Sequence, residues 1–260
     1  MKPGLLDLPA PLFDVLDAAA DHAHLPALLR IIAYASICAW ISMRLYRRFS
    51  DQQRLLELRA EIGRSQRALA LHDGGFAELH SLIGQNLRLT LRQLGLTLRP
   101  ALLASLPLLF VLPWLSNRFE FDAPTPDAAV NVCALPTAVA ASLRWQPAAT
   151  ILSGESGCWQ LQWPDAGNPA ALVDANGRTL FTLSKDIQSS FVHKFIGLNW
   201  LVGNPGGYLP ATAPIERLTI ALPARQMIAA GPAWLRDWEA WFFTTLLMVS
   251  LALKLRWRLH

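Results

Sequence analysis

Three apolar runs, each close to the length that crosses a bilayer, restrict this chain to a membrane fold. The first covers residues 25–43, LPALLRIIAYASICAWISM, with a single charge at Arg30. At about 1.5 Å of rise per residue such a helix nearly matches the roughly 30 Å of hydrocarbon in a bilayer. The second, residues 100–115, reads PALLASLPLLFVLPWL, and LGLTL extends it upstream across Arg99. Pro100, Pro107 and Pro113 would break a soluble helix. A membrane helix tolerates them when its surroundings satisfy the freed carbonyls. The third, residues 238–253, reads WEAWFFTTLLMVSLAL, and Trp234, Trp238 and Trp241 form an interfacial aromatic anchor at its start.

Composition agrees. The chain is 53% hydrophobic and only 16% charged, where a soluble domain carries about 25% charged residues. Its net charge of +4 comes from arginines clustered beside the apolar runs. Membrane topology explains that placement better than nucleic-acid binding does. The first 25 residues hold one Lys and four Asp, without the basic region and apolar core of a cleavable signal, so the first run is expected to stay in the protein.

The basic residues set the expected orientation. Residues 44–99 carry ten Arg against five acids, a net +5, and Lys254, Arg256 and Arg258 follow the third run. The N-terminal stretch has one Lys against four Asp, a net −3. Basic loops stay in the cytoplasm. The expected plan is then an extracytoplasmic segment 1–24, a span 25–44, a cytoplasmic segment 45–98, a span 99–116, an extracytoplasmic domain 117–236, a span 237–254 and a cytoplasmic tail 255–260. The N-terminus lies outside and the C-terminus inside. Before the first span, PAPLFDVLDAAADHAH is compatible with a short surface helix.

Residues 45–98 read as a helical hairpin, or coiled coil. Leu55, Leu58, Ile62, Ser65 and Leu69 keep heptad spacing, Asp73-Gly74-Gly75 is a turn, and Phe76, Leu79 and Ile83 restart the pattern. A solvated charged pair and a basic hairpin near anionic headgroups or a partner both fit. Residues 117–236 read as an all-β, sandwich-like domain. CWQLQW alternates, with Trp159, Leu161 and Trp163 on one face, Asn176-Gly177 lies between two β-prone runs, and ERLTIALP is another strand. Cys133 and Cys158 lie in this segment outside any Cys/His array, and an oxidising compartment would join them as a disulfide. Cys38, inside the first span, reads as a small packing residue.

Few constellations suggest chemistry. SGESGC around Ser156 has part of a nucleophile elbow, but Cys158 replaces the last glycine and no strand-to-helix setting surrounds it. Asp21, His22 and His24 are metal-ligating types in an acidic tail, where solvation is the plainer reading. No phosphate-binding glycine loop occurs. No catalytic residue, cofactor or metal is therefore assigned, and an enzyme is not expected. The arginines stand out instead. Arg30 lies about a turn inside the outer end of the first span, where it snorkels or faces a wet cavity. Arg44 lies at the inner end. It is either one more topology-setting residue or a cation in a polar groove open to the cytoplasm, able to attract acidic segments of an entering polypeptide.

The sequence SMRLYRRFSDQQ, with an Arg at the end of the first span and a polar, basic start to the coil, resembles the YidC/Oxa-type membrane-protein insertases. LRPALLASLPLLFVLPWL is similar to their proline-bearing second core span, and WFFTTLLMVSLALKLRW to the third span of their short three-span branch. That branch includes a core subunit of the ER membrane complex and archaeal relatives. The resemblance covers residues 25–116 and 237–260. It implies an insertase-like protein of the bacterial inner membrane that works without covalent chemistry. Its partners would be membrane lipids and nascent or partner membrane proteins, with the groove cation at Arg44 and Arg30 as a second groove charge. Residues 117–236 depart from the family, whose short members have a modest loop there. That domain leaves open a non-catalytic adaptor or assembly factor whose β domain binds an envelope protein.

Overall fold

The computed structural model describes residues 4–125, 128–152, 157–165, 168–185, 187 and 189–258, with Ala77 described by its backbone only. They form two compact units. One combines residues 4–26 with 110–238, the other residues 27–109 with 239–258. The N-terminal segment therefore belongs to the same unit as the β strands.

The second unit holds three helices long and apolar enough to cross a membrane. The first of these, α2 (Ala27–Phe49), buries Ile31, Ala35, Cys38 and Ala39 along one face. Helix α3 (Gln52–Ala70) starts where the Asp51 carboxylate accepts the Arg54 amide hydrogen, a side-chain cap of an otherwise orphan donor. It buries Leu55, Leu58, Ile62 and Ser65, the face expected from heptad spacing. The chain then turns through His72–Gly75 into α4 (Phe76–Phe119). The last helix is α6 (Trp238–Trp257), preceded by the short α5 (Ala233–Arg236) of the other unit.

Helix α4 departs from expectation in two ways. A hairpin arm ending near residue 98 and a separate span were expected. Instead one helix of 44 residues runs unbroken through Pro100, Pro107 and Pro113. At about 1.5 Å per residue it is roughly 66 Å long, about twice the hydrocarbon thickness, so half of it must project beyond a bilayer. The register of its arm also differs. Phe76 is 81% exposed and Ile83 points outward, while the half-buried stripe runs through Leu79, Leu82, Asn86, Leu89, Gln93 and Leu96. The true face is shifted by one position and carries two amides, which hid it from a search for apolar residues.

The first unit is built on two antiparallel-rich sheets. Strands β1 (Ala129–Leu135), β2 (Arg144–Gln146), β3 (Thr150–Ile151), β4 (Cys158–Gln162), β5 (Ala170–Val173), β6 (Thr179–Leu183), β7 (Phe191–Lys194), β8 (Tyr208–Leu209) and β9 (Arg217–Ile220) follow in order. Six form one sheet in the order β3-β4-β1-β9-β7-β8, and β2-β5-β6 form the other. Side chains from both sheets share one hydrophobic core, with Val132, Leu172, Leu183, Val192 and Leu218 fully buried. The alternation in β4 holds: Trp159, Leu161 and Trp163 all point inward. The Asn176-Gly177 turn joins β5 to β6, with Gly177 at φ 75° and the Asp174 carboxylate accepting the amide hydrogens of Asn176 and Arg178. Cys133 and Cys158 face each other across β1 and β4 and form the disulfide.

The same unit includes α1 (Ala10–His22), a 3-10 turn before it (Leu5–Asp7), and the last turns of α4.

Candidate functional site

The residues nominated from sequence fall in different places. Arg30 is half-buried in the first turns of α2. Arg44 is exposed on the side of α2 away from Ile31, Ala35 and Cys38, and its guanidinium sits 5.6 Å from the centroid of the Trp40 ring. Such a cation–π contact holds a charged head beside an apolar ring without a counter-ion. Arg47 makes the same contact with Trp257, at 5.5 Å. Arg44 and Arg30 are 14 positions apart along one helix, so the fold does not bring them together. Beyond Ile31 the buried stripe between them is made of small side chains, Ala35, Cys38 and Ala39, with Ser42 half-buried below them, and these permit close approach of another helix. Ser156 lies outside the described residues. Among the described residues no group of three or more His, Cys, Asp or Glu side chains is arranged to hold a metal, and Asp21, His22 and His24 form none.

The more elaborate geometry lies at the C-terminal end of α4, and sequence reasoning missed it. Asp14 accepts a hydrogen bond from the Trp114 indole at 2.8 Å, and Phe13 packs on the same indole with ring centroids 5.4 Å apart. One turn further on, the Arg118 Nε–H donates to Asp17 at 2.9 Å. Asp17 has 0% exposure. A carboxylate with no access to water persists only when paired and hydrogen-bonded, and Arg118 supplies both. From the other direction Arg225 donates to Asp122 and to the Arg118 carbonyl, with its guanidinium over the Phe119 ring. The last turn of α4 is thus clamped between α1 and the 223–225 segment. The signal in the sequence is the spacing of Asp14, Asp17 and Asp21, which puts three carboxylates on one face of a helix.

Beside this clamp is a cleft of about 470 Å³. Pro113, Ser116 and Asn117 of α4 and Glu120 just after it line one wall, and Leu198, Leu201 and Val202 line the other. The second wall is anchored by Asn204, which is buried. Its Nδ2 donates to the Phe191 carbonyl, its Oδ1 accepts from the Gly206 amide and the Ser189 hydroxyl, and its own amide donates to the Tyr208 hydroxyl. Every polar group of that side chain is used, which fixes the loop start and end. Within the cleft the Ser116 hydroxyl donates directly to Glu120 at 2.6 Å, and His193 Nδ1 lies 2.6 Å from the Lys194 carbonyl. The aliphatic wall of Leu198, Leu201 and Val202 suits recognition of an apolar group.

Comparison with protein-family models, with curated proteins and with solved structures found no match. The functional reading therefore rests on the residues and geometry above.

Proposed function

We propose that this chain is an insertase-like protein of the bacterial inner membrane that assists insertion or assembly of membrane proteins. The N-terminus and the β unit lie outside the cytoplasm, and the basic arm and C-terminus lie inside. The disulfide supports this sidedness, because such bonds persist in oxidising compartments. The α3–α4 arm is read as a coiled coil from its two heptad-spaced stripes.

The observation that carries the functional reading is how little the spans bury. Only 28%, 6% and 11% of the apolar windows of α2, α4 and α6 are buried within the chain. Three helices that served as a plain anchor need no partner but lipid. Here one span bears a small-residue face that continues to the half-buried Ser42, another carries three prolines, and a cation stands at the inner end. In this reading the open side of the spans admits a short polar segment, Arg44 attracts its acidic residues, and the basic arm captures it. The barrier that is lowered is the desolvation of polar groups in hydrocarbon.

One observation favours a second reading. The apolar cleft beside the α4 clamp suits an apolar side chain or segment of an envelope protein, which would make the chain an adaptor. Depletion followed by quantitative membrane proteomics separates the two. Broad loss of small membrane proteins is the insertase outcome. Loss of one envelope complex, with other membrane proteins unchanged, would overturn it in favour of the adaptor.

A further inference from the structure

Helix α1 is amphipathic in the wrong sense for a protein in water. The one residue it buries is an acid, Asp17, paired with Arg118, while the exposed Asp14 accepts from the Trp114 indole. Its aliphatic side chains face outward: Leu12 is 61% exposed and Val15 67%, with Leu8 and Leu16 exposed beside them. A soluble surface helix has the opposite arrangement, apolar stripe in and charges out. The segment after β7 repeats the anomaly. Phe195, Ile196, Leu198 and Trp200 are all exposed, Leu198 to 76% and Trp200 to 59%. Soluble domains rarely present so many large apolar side chains together, and where they do the patch is covered by something.

The two elements are stitched together. The Leu6 amide donates to the Leu201 carbonyl at 2.9 Å, and Asp7 Oδ2 accepts the Gly203 amide hydrogen at 2.7 Å. Gly4 fits so closely against this loop that a Cβ would lie 2.6 Å from Gly203 N and Leu201 O. The start of the N-terminal segment and the 195–203 loop are therefore one continuous surface.

The clamp fixes the height of that surface along α4. The apolar run of α4 ends at Leu115, and Arg118 is the first charge beyond it. A membrane-crossing helix leaves the hydrocarbon where its apolar run gives way to charge, so Trp114 to Arg118 mark the headgroup level. Helix α1 is held at that level by Asp14 and Asp17, and only four residues separate its end at His22 from the start of α2 at Ala27. The loop shares the cleft with Pro113, Ser116 and Asn117, at the same level of α4.

We propose that α1 and the Phe195–Trp200 loop seat the β unit on the lipid surface, with Leu8, Leu12, Val15, Leu198 and Trp200 entering the boundary between headgroups and acyl chains. The occupant of the exposed face is phospholipid. An interfacial helix buries its apolar side to just this depth, and Trp is favoured there because its ring is apolar and its N–H polar. Asp17 is buried and ion-paired with Arg118, and Asp14 accepts a hydrogen bond from the Trp114 indole. The proposal needs α4 to cross a bilayer. It does not depend on the insertase reading, and either can fail without the other.

The test uses the full-length protein in vesicles of phosphatidylethanolamine and phosphatidylglycerol, with Cys38→Ser and the disulfide left intact. An environment-sensitive fluorophore is placed on a single cysteine at Leu12→Cys, Trp200→Cys or, as a control on the β5–β6 turn, Ala175→Cys. Quenching is read with brominated phospholipids and with aqueous iodide. Labels at 12 and 200 are expected to be quenched several-fold more by lipid bromine than the label at 175, and several-fold less by iodide. Iodide quenching at 12 and 200 equal to that at 175 would overturn the lipid seat. So would protection from both quenchers, which would mean that protein, a second copy or another partner, covers the face. Intact disulfide and unchanged thermal unfolding of each labelled protein establish that the variants are folded.

Discussion

Removing the Cys133–Cys158 bridge is the perturbation whose magnitude the fold defines best. The two cysteines are 25 residues apart and sit opposite each other in β1 and β4, in the sheet that carries the core. Without the bridge the unfolded chain regains the freedom of that loop, and the chain-entropy relation gives about 3.5 kcal/mol for a loop of this length. A domain's whole stability is about 5–15 kcal/mol, so the loss is a large fraction of it. For a unit of this size it corresponds to a fall in melting temperature of about 7–14 °C. Cys133→Ala with Cys158→Ala avoids leaving two polar groups at the site. Tryptophan fluorescence of the detergent-purified protein reports the transition directly, because Trp159 follows Cys158 and packs edge-on against Trp145 with centroids 6.3 Å apart. The wild type with reductant should match the double variant. An unchanged transition in a protein shown by mass spectrometry to be bridged would refute the entropic argument. Two free thiols in protein taken directly from membranes would refute the bridge, and with it the main support for an outer β unit.

Three further outcomes are expected. Asp17→Asn keeps the shape of the clamp but removes its charge. Because Arg118 is 38% exposed and partly hydrated, the cost should be about 1–2 kcal/mol, read as faster proteolysis of α1. Arg118→Leu strands a buried carboxylate and should cost more, about 3 kcal/mol. With Cys38→Ser, external thiol labelling in cells should modify Ala175→Cys on the exposed turn and spare Gln66→Cys on the exposed side of α3; the reverse pattern would invert the topology. In complementation of a deletion strain at matched expression, Arg44→Ala should lose function while Arg44→Lys retains most of it, since a point charge suffices. Arg47→Ala should be mild, because position 47 lies about one turn further out into water. Full activity of Arg44→Ala would leave Arg44 a topology residue only.

Much of this fold is readable from local pattern. The spans announce themselves by length and charge. The inward Trp159, Leu161 and Trp163, the Asn176-Gly177 turn and the face of α3 follow from periods of two and of about three and a half. What is not readable depends on surroundings. The unbroken α4 passes through three prolines, as apolar surroundings allow, and joins the arm to the span with no break for a local pattern to mark. The half-buried stripe of its arm includes Asn86 and Gln93, which an apolar-residue search passes over. The clamp joins Asp17 to Arg118 across 101 positions, and no local signal links them. The spacing of Asp14, Asp17 and Asp21 is visible in the sequence, but the burial of Asp17 alone is not. Arg44 was legible as a position at the inner end of a span, whereas its exposure and its contact with Trp40 needed the fold.

The account's central claim, that the chain handles many membrane proteins as they are made, is tested most directly by crosslinking from Trp40. This exposed aromatic lies under the Arg44 guanidinium, and a photoreactive phenylalanine analogue can replace it with little change in shape. Crosslinks during ongoing synthesis should capture a broad set of newly made small membrane proteins and disappear when translation is stopped. Crosslinks to lipid alone, or to a single stable protein regardless of translation, would contradict the claim.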